Sequence, residues 1–176
     1  MAPMGSLAIV ALNTNLPTMT VDWSLGFRRS ETKAAATYWT ELCGNRQMPS
    51  RTELKPRAIR SFLPYVSIVD LDSQTGNYTV ALQATHSREV FGNLKGRKFA
   101  ELFPPDVAQR WRDCFDLVCD RPQPVRLSSQ VGTQNKLWLQ CEALIAPLSA
   151  RPQCAALASM FWVFVSWNRD AGTPVG

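Results

Sequence analysis

The segment Leu157–Trp167 constrains the fold of this chain more than any other. Its centre, Met160 to Val165, is a continuous run of apolar residues. A strand that is apolar on both faces has to be covered on both sides, whereas a strand at a solvated face alternates with polar residues. We therefore expect this segment to be a central strand of a sheet that carries other elements on both faces.

Periodicity predicts the remaining elements. A helix is expected over 31–43, with Ser30 as its N-cap, because Ala35, Tyr38 and Trp39 recur at helical spacing. The predicted strands cover 65–71, 78–83, 125–130, 136–146 and 157–167, with two short helices over 86–91 and 98–103. This order predicts an α+β domain with helices packed against one antiparallel sheet.

The most regular helix follows Pro104 and ends before Pro122, since proline is tolerated only in the first turn of a helix. One apolar stripe runs along it and predicts a buried face, with charged residues such as Arg110 and Arg112 on the rest of the surface. The stripe consists of Val107, Trp111, Cys114, Phe115 and Val118.

Domain organisation is predicted from the change in composition near residue 30. Residues 1–30 form an N-terminal extension, with a short amphipathic piece around Val21 and Phe27, residues 31–170 form the domain, and 171–176 form a tail. We expect that deleting residues 1–18 leaves the midpoint of thermal unfolding nearly unchanged.

Composition argues against several classes of function. The net charge of +5 comes from scattered basic residues, which indicates a solvated surface and no nucleic-acid partner. Five cysteines without a Cys-x-x-Cys pair, together with one histidine, argue against a zinc site and favour reduced thiols. No segment is long and apolar enough to span a membrane, and no basic residue precedes the apolar run 7–12, so a cytoplasmic protein is expected.

Catalytic motifs are also missing from the sequence: it has no phosphate-binding glycine loop, nucleophile elbow or kinase signature. The lone His86 lies among polar neighbours and is interpreted as a solvated surface residue. We expect a protein that is not an enzyme.

A group of motifs resembles a family of short, stand-alone bacterial PAS-domain proteins. The matching residues are Tyr38, Trp39, Gly44, Met48, Pro49, Ser50, Arg51, Pro56, Ile59, Leu63, Pro64 and Asp70, followed by Phe91-Gly92 and Leu94-Lys95-Gly96-Arg97. The chain departs from the family at 81–85, where Ala81 and Ala84 replace the arginine and glycine of an Arg-Leu-x-Gly-Thr pattern.

The resemblance implies a PAS-like antiparallel five-stranded sheet with a helical cap and a leading N-terminal helix. It also implies a cavity between the sheet and the cap, suited to a small hydrophobic ligand. The candidate pocket residues are Val90, Phe91, Phe99, Leu102, Trp111, Phe115, Leu139, Cys141 and Val163. The same side chains could instead close-pack and leave no cavity.

The function implied is that of a sensor or adaptor in signal transduction, acting through a regulatory protein partner or a homodimer. Aromatics such as Trp138, Trp162 and Trp167 would anchor such a contact if they face outward, and the alternative is that the leading helix covers them. Arg51 is expected to pair with Asp70. No cofactor is required: a flavin-binding Asn-Cys-Arg-Phe-like motif is missing, and haem would need His86, a methionine or a cysteine as its ligand. The alternative is a small-molecule-binding enzyme on the same cupped sheet.

Overall fold

A computed structural model describes residues 8–10, 19–132, 138–154 and 156–167. For 8–10, 131, 132 and 138 it describes the backbone alone. Within these residues the chain forms one antiparallel sheet of seven strands in the order β1-β2-β5-β6-β7-β3-β4. The strands are β1 (Ala8–Val10), β2 (Met19–Asp22), β3 (Val66–Asp72), β4 (Asn77–Leu82), β5 (Val125–Gly132), β6 (Trp138–Ser149) and β7 (Leu157–Trp167).

Strand β7 lies between β6 and β3, as its apolar sequence predicts. Every residue from Met160 to Val165 is at most 2% exposed. Because successive side chains of a strand point to opposite faces, β7 supplies core residues to both sides of the sheet.

Four helices cover the two faces of the sheet. They are α1 (Ser30–Cys43), α2 (Thr85–Phe91), α3 (Phe99–Leu102) and α4 (Pro105–Asp120). Trp111 and Phe115 of α4 belong to a hydrophobic cluster with Trp162 and Phe164, on the side that we call the cap face. Ala35 and Trp39 of α1 belong to a second cluster with Phe161 and Val163, on the side that we call the α1 face.

The predicted fold is confirmed: an α+β domain with a helical cap and a leading helix. The five predicted strands correspond to β3–β7, and the sheet is extended beside β5 by two strands from the N-terminal segment. Met19 and Val21 of β2 are 3% and 0% exposed and join the cap-face cluster. The sequence signal for β2 is a short alternation of apolar and polar residues, which predicts a short amphipathic piece but does not reveal that it joins the sheet.

The start of α1 differs from its prediction. Ser30 is the first helical residue, and Arg29 occupies the N-cap position without a side-chain capping bond. The carboxylate of Glu142 on β6 instead accepts the backbone N–H groups of Arg28 and Arg29, each at 2.9 Å, and the hydroxyl of Thr32 at 2.5 Å. A residue 110 positions away in the chain therefore anchors this helix terminus, and local sequence does not reveal it.

Candidate ligand site on the cap face

An aromatic cluster fills the space between the cap helices and the sheet. Trp111 lies 5.2 Å from Trp162 between ring centroids, and Phe91 lies 5.0 Å from Phe164. The cluster is completed by Tyr78, Phe99, Phe103 and Phe115. Most of these pairs are tilted or edge-to-face, the arrangement that aromatic quadrupoles favour.

Two local patterns build this cluster. The i, i+4 spacing of Trp111 and Phe115 puts both rings on the buried face of α4. The alternation of β7 puts Trp162 and Phe164 on the same side of the sheet. The helix and the strand therefore bring four large rings together from two short sequence motifs.

Eight of the nine predicted pocket residues belong to the cap face. Phe99, Trp111, Phe115 and Cys141 are buried in its cluster, and Val90, Phe91, Leu102 and Leu139 are partly buried against it. Val163 is a correction: it is buried on the α1 face with Phe161. Its neighbours Trp162 and Phe164 take the cap side, so the alternation of β7 excludes it from the same space.

Two buried donors of the cap face have no partner among the described residues, and the first is the indole of Trp162. Its side chain is fully buried, and no residue in this part of the chain supplies an acceptor to Nε1. Of the two alternatives for Trp162, an uncovered interface anchor or a covered side chain, the structure shows a covered one, packed on the cap face and not under α1. Two other tryptophans are candidates for an interface anchor. Trp167 is half-buried, and the guanidinium carbon of Arg29 lies 4.4 Å from its ring centroid. The side chain of Trp138 lies outside the described part of the structure.

Arg110 on α4 carries the second such donor, and the expectation that it lies on the solvated side of α4 is wrong. It is only 6% exposed; its Nη2 donates to the hydroxyl of Ser129 on β5, while Nε has no partner among the described residues. Burial lowers the pKa of this guanidinium. The other titratable groups that act on it are the Cys114 and Cys141 thiols, and burial raises the pKa of each thiol to about 12. These thiols are neutral near pH 7, so they do not balance the charge of Arg110. The sequence contains a signal for this burial, because Arg110 precedes Cys114 of the apolar stripe by four residues, which puts both on the same side of the helix.

Two open clefts flank the sheet. The first, of about 240 Å³, lies where the start of β4 meets α3 and α4; it includes Tyr78, Phe99 and Arg112, and Phe99 is its one predicted pocket residue. The second, of about 660 Å³, lies where α1 leaves the polar side chains of β2, β5 and β6 uncovered on the α1 face. Its lining includes Arg28, Arg126 and Trp167, together with Glu142, whose carboxylate pairs with Arg126.

His86 is not a solvated surface residue, contrary to the sequence interpretation. Its ring lies between Tyr65 and Phe164, at centroid distances of 5.0 and 6.0 Å. The backbone N–H of Ser166 on β7 donates to Nε2 at 3.1 Å, and burial lowers the pKa of the imidazole. A neutral ring with its proton on Nδ1 fits this arrangement, which ties α2 to the end of β7.

The residues of the family motif in 38–70 gather on the α1 face. Arg51 pairs with Asp70 at 2.5 Å, as predicted, and Ser159 of β7 donates to the same carboxylate oxygen at 2.8 Å. Trp39 Nε1 donates to the carbonyl of Pro147 at 3.0 Å. These bonds connect α1 and the segment after it to three strands of the sheet.

The same motif also shapes the loop itself. Ser50 and Glu53 form a reciprocal capping box around a short 3-10 turn, and Arg46 binds the Glu53 carboxylate through both Nη atoms at 2.9 Å. The hydroxyl of Tyr38 accepts the backbone N–H of Lys55 at 3.1 Å, and the carbonyl of Pro49 accepts the N–H of Ser149 at 3.0 Å. Leu63 and Pro64 belong to a second 3-10 turn that leads into β3, with Leu63 40% exposed. Residues 38–70 of the motif thus mark a structural clamp on the α1 face, whereas Phe91 and Leu94 of its later part pack in the cap-face cluster.

The described residues contain neither a cluster of metal ligands nor a membrane-spanning helix. Among them, no three His, Cys, Asp or Glu side chains come together as ligands for a metal ion. No helix in this part of the chain has the length and hydrophobicity needed to cross a membrane.

Comparison with known proteins identifies the family. No protein with a curated function matches the chain in sequence. Among solved structures, a sensory box histidine kinase/response regulator from Burkholderia thailandensis is similar, with a TM-score of 0.40 and 11% identity over 64% of this chain and 84% of that chain. The sequence model of the PAS domain family matches residues 27–160, which is more than half of the chain. The chain therefore belongs to the PAS domain family.

Proposed function

We propose that this protein is a sensor in signal transduction that binds a small apolar ligand on its cap face and responds through protein contact on its α1 face. The observation that carries the proposal is the indole Nε1 of Trp162, which is buried among aromatic rings without an acceptor among the described residues. A buried donor without a partner costs about 1–3 kcal/mol, and folded proteins rarely leave such groups unsatisfied. A ligand with an apolar body and one acceptor would satisfy this donor by displacing rings that fill the space between the cap and the sheet.

Strand β7 is the element that can carry a change from one face to the other. Trp162 and Phe164 pack into the cap-face cluster, while Phe161 and Val163, on the same strand, pack in the cluster that contains α1. A ligand that displaces the cap-side rings moves the backbone between them, and packed cores transmit such shifts because they contain few voids. The response would appear where α1 meets β6 and β7.

The partner surface that we propose is the cleft of about 660 Å³ on the α1 face. It combines Arg28 and Arg126 with the aromatic ring of Trp167, and arginine and tryptophan are the residue types enriched at interaction hot spots. Either a regulatory protein or a second copy of the chain would occupy it. The cytoplasmic location expected from the sequence belongs to the same proposal.

The alternative of an enzyme receives less support from the chemistry of the cap face. Burial raises the pKa of the Cys114 and Cys141 thiols to about 12, which keeps them protonated and weakly nucleophilic at neutral pH. His86 uses Nε2 to accept a backbone N–H, so this nitrogen is not available as a general base. We infer that the protein is not catalytic.

Native mass spectrometry with an ultraviolet–visible spectrum of freshly purified protein tests the proposal. We expect a bound small molecule in the wild type, and its loss or weakening in a Trp162→Phe variant, because that change removes the indole N–H and keeps the ring. Trp39→Phe on the α1 face is the matched control and should keep the molecule. A bare chain mass, together with no binding of small aromatic compounds by the wild type, would refute the ligand part of the proposal.

A further inference from the structure

The charge of Arg110 lies inside the domain without a counter-ion. The guanidinium is 6% exposed, and its hydrogen bond goes to the neutral hydroxyl of Ser129. The other arginines that form ion pairs in the described part of the chain do so with Glu53, Asp70 or Glu142. Buried charges in proteins are normally paired, because removing an ion from water is expensive.

The rest of the chain offers little to balance this charge. The residues 1–7, 11–18, 133–137 and 155, which the structure does not describe, contain no Asp or Glu. In 168–176, Asp170 is the one acidic side chain. Asp170 is therefore the acidic side chain outside the described residues that would have to be tested as an internal counter-ion.

We propose that Arg110 anchors the carboxylate of a small organic acid that binds between α4 and strands β5 and β6. This inference rests on the proposed function and assigns the ligand class of the cap face. Arginine suits the role because its planar N–H groups bind both oxygens of a carboxylate, and here Nε is the donor left unused.

The surroundings of Arg110 favour an acid with an apolar body. Cys114 and Cys141 are buried next to the charge and act as small apolar groups, and the partly buried Leu139 packs on the same cluster. Trp111 follows Arg110 in α4 and leads into the aromatic cluster. An arginine at one side and apolar side chains around it would select a carboxylate over a neutral molecule of the same shape.

The test measures thermal unfolding of the full chain with acetate, benzoate and 2-naphthoate at constant ionic strength, and with the matching neutral amides. A carboxylate that binds the folded state should raise the unfolding midpoint by about 5–10 °C at 100 times its Kd. We expect this shift for at least one apolar carboxylate, no shift for its amide, and loss of the shift in Arg110→Met.

Two further variants separate binding from folding. Arg112→Gln removes a charge from the same helix, where the side chain bonds the carbonyl of Gly76 and the amide oxygen of Asn77 on the surface, and it should keep the carboxylate shift. Arg110→Lys keeps a positive charge but lacks the planar guanidinium, so it should keep part of the carboxylate-induced shift of the unfolding midpoint. Without ligand, Arg110→Met should unfold at the same temperature as the wild type or higher, because it removes an unpaired buried charge.

Three results would overturn the inference. Equal shifts by carboxylate and amide, retained in Arg110→Met, would agree with the proposed ligand site but would show that Arg110 does not hold a carboxylate there. No shift with any carboxylate would reject an acid as the ligand, and native mass spectrometry would then decide the proposed function separately. An Asp170→Asn variant that lowers the midpoint in the wild type but not in Arg110→Met would identify Asp170 as an internal counter-ion.

Discussion

The two faces of the sheet satisfy their buried polar groups to different degrees. On the α1 face, Trp39 donates its indole N–H to a carbonyl, and Glu142 accepts from Arg28, Arg29, Thr32 and Arg126. On the cap face, Trp162 Nε1 and Arg110 Nε have no partner among the described residues. Within this part of the chain, the fold itself satisfies the buried polar groups named on the α1 face, while it leaves two donors of the cap face unsatisfied. This difference is the basis for our proposal that the α1 face stabilises the domain and that the cap face binds a ligand.

The largest expected effect comes from truncating the cap-face core. Trp111→Ala should lower the free energy of unfolding by about 3–5 kcal/mol, because the ring is 3% exposed and its removal leaves a cavity among aromatic neighbours. Chemical denaturation measures this change. A near-neutral result would mean that ligand-free protein does not pack its cap against the sheet.

The next effect tests the anchor of the α1 face. Glu142→Gln should lower the free energy of unfolding by about 3 kcal/mol, because it leaves the partly buried guanidinium of Arg126 and at least one backbone donor without a charged acceptor. Urea titration gives the value, and Glu41→Gln on the exposed side of α1 is the control. If both substitutions cost the same small amount, the carboxylate does not hold the helix terminus.

A pair of tryptophan substitutions compares the two faces directly. Trp39→Phe should cost about 1–2 kcal/mol, because the Pro147 carbonyl loses its donor. Trp162→Phe should cost less in ligand-free protein, since its N–H has no partner to lose. Denaturation of both variants under identical conditions measures the difference, and the opposite order would contradict the contrast between the faces.

The smallest effect concerns His86, at the edge of the cap face. Burial lowers the pKa of this imidazole below its usual 6.5, while Glu89 and Glu31 act in the opposite direction. The stability contributed by the neutral ring is therefore present above pH 6.5 and is lost as the pH falls through the lower pKa of the folded state. A protonated Nε2 cannot accept the Ser166 N–H, so the loss should be about 1 kcal/mol, the worth of one hydrogen bond.

Unfolding free energies measured between pH 7.5 and 5.5 test this dependence. The slope should be smaller in His86→Gln, which keeps an acceptor that does not titrate. An identical slope in both proteins would assign the pH dependence to other groups.

Periodicity and resemblance together were sufficient to predict the domain. The central position of β7, the buried stripe of α4 and the partnership of Arg51 with Asp70 all follow from short patterns in the sequence. These features depend on which face of a helix or strand a residue occupies, and spacing along the chain reports that. For the same reason, eight of the nine residues predicted for the pocket lie in or against one cluster, and their role in binding stays a prediction.

Only the tertiary structure decided which buried groups have partners. Glu142 and Thr32 are 110 positions apart, Arg110 and Ser129 lie on different elements, and His86 meets Ser166 across the sheet. A polar residue in a sequence looks the same whether it is solvated, paired or buried alone, because its environment comes from distant segments. The sequence therefore predicts a surface charge at Arg110 and leaves Trp162 open between an exposed and a covered side chain, whereas in the fold both are buried on the face that we propose as the ligand site.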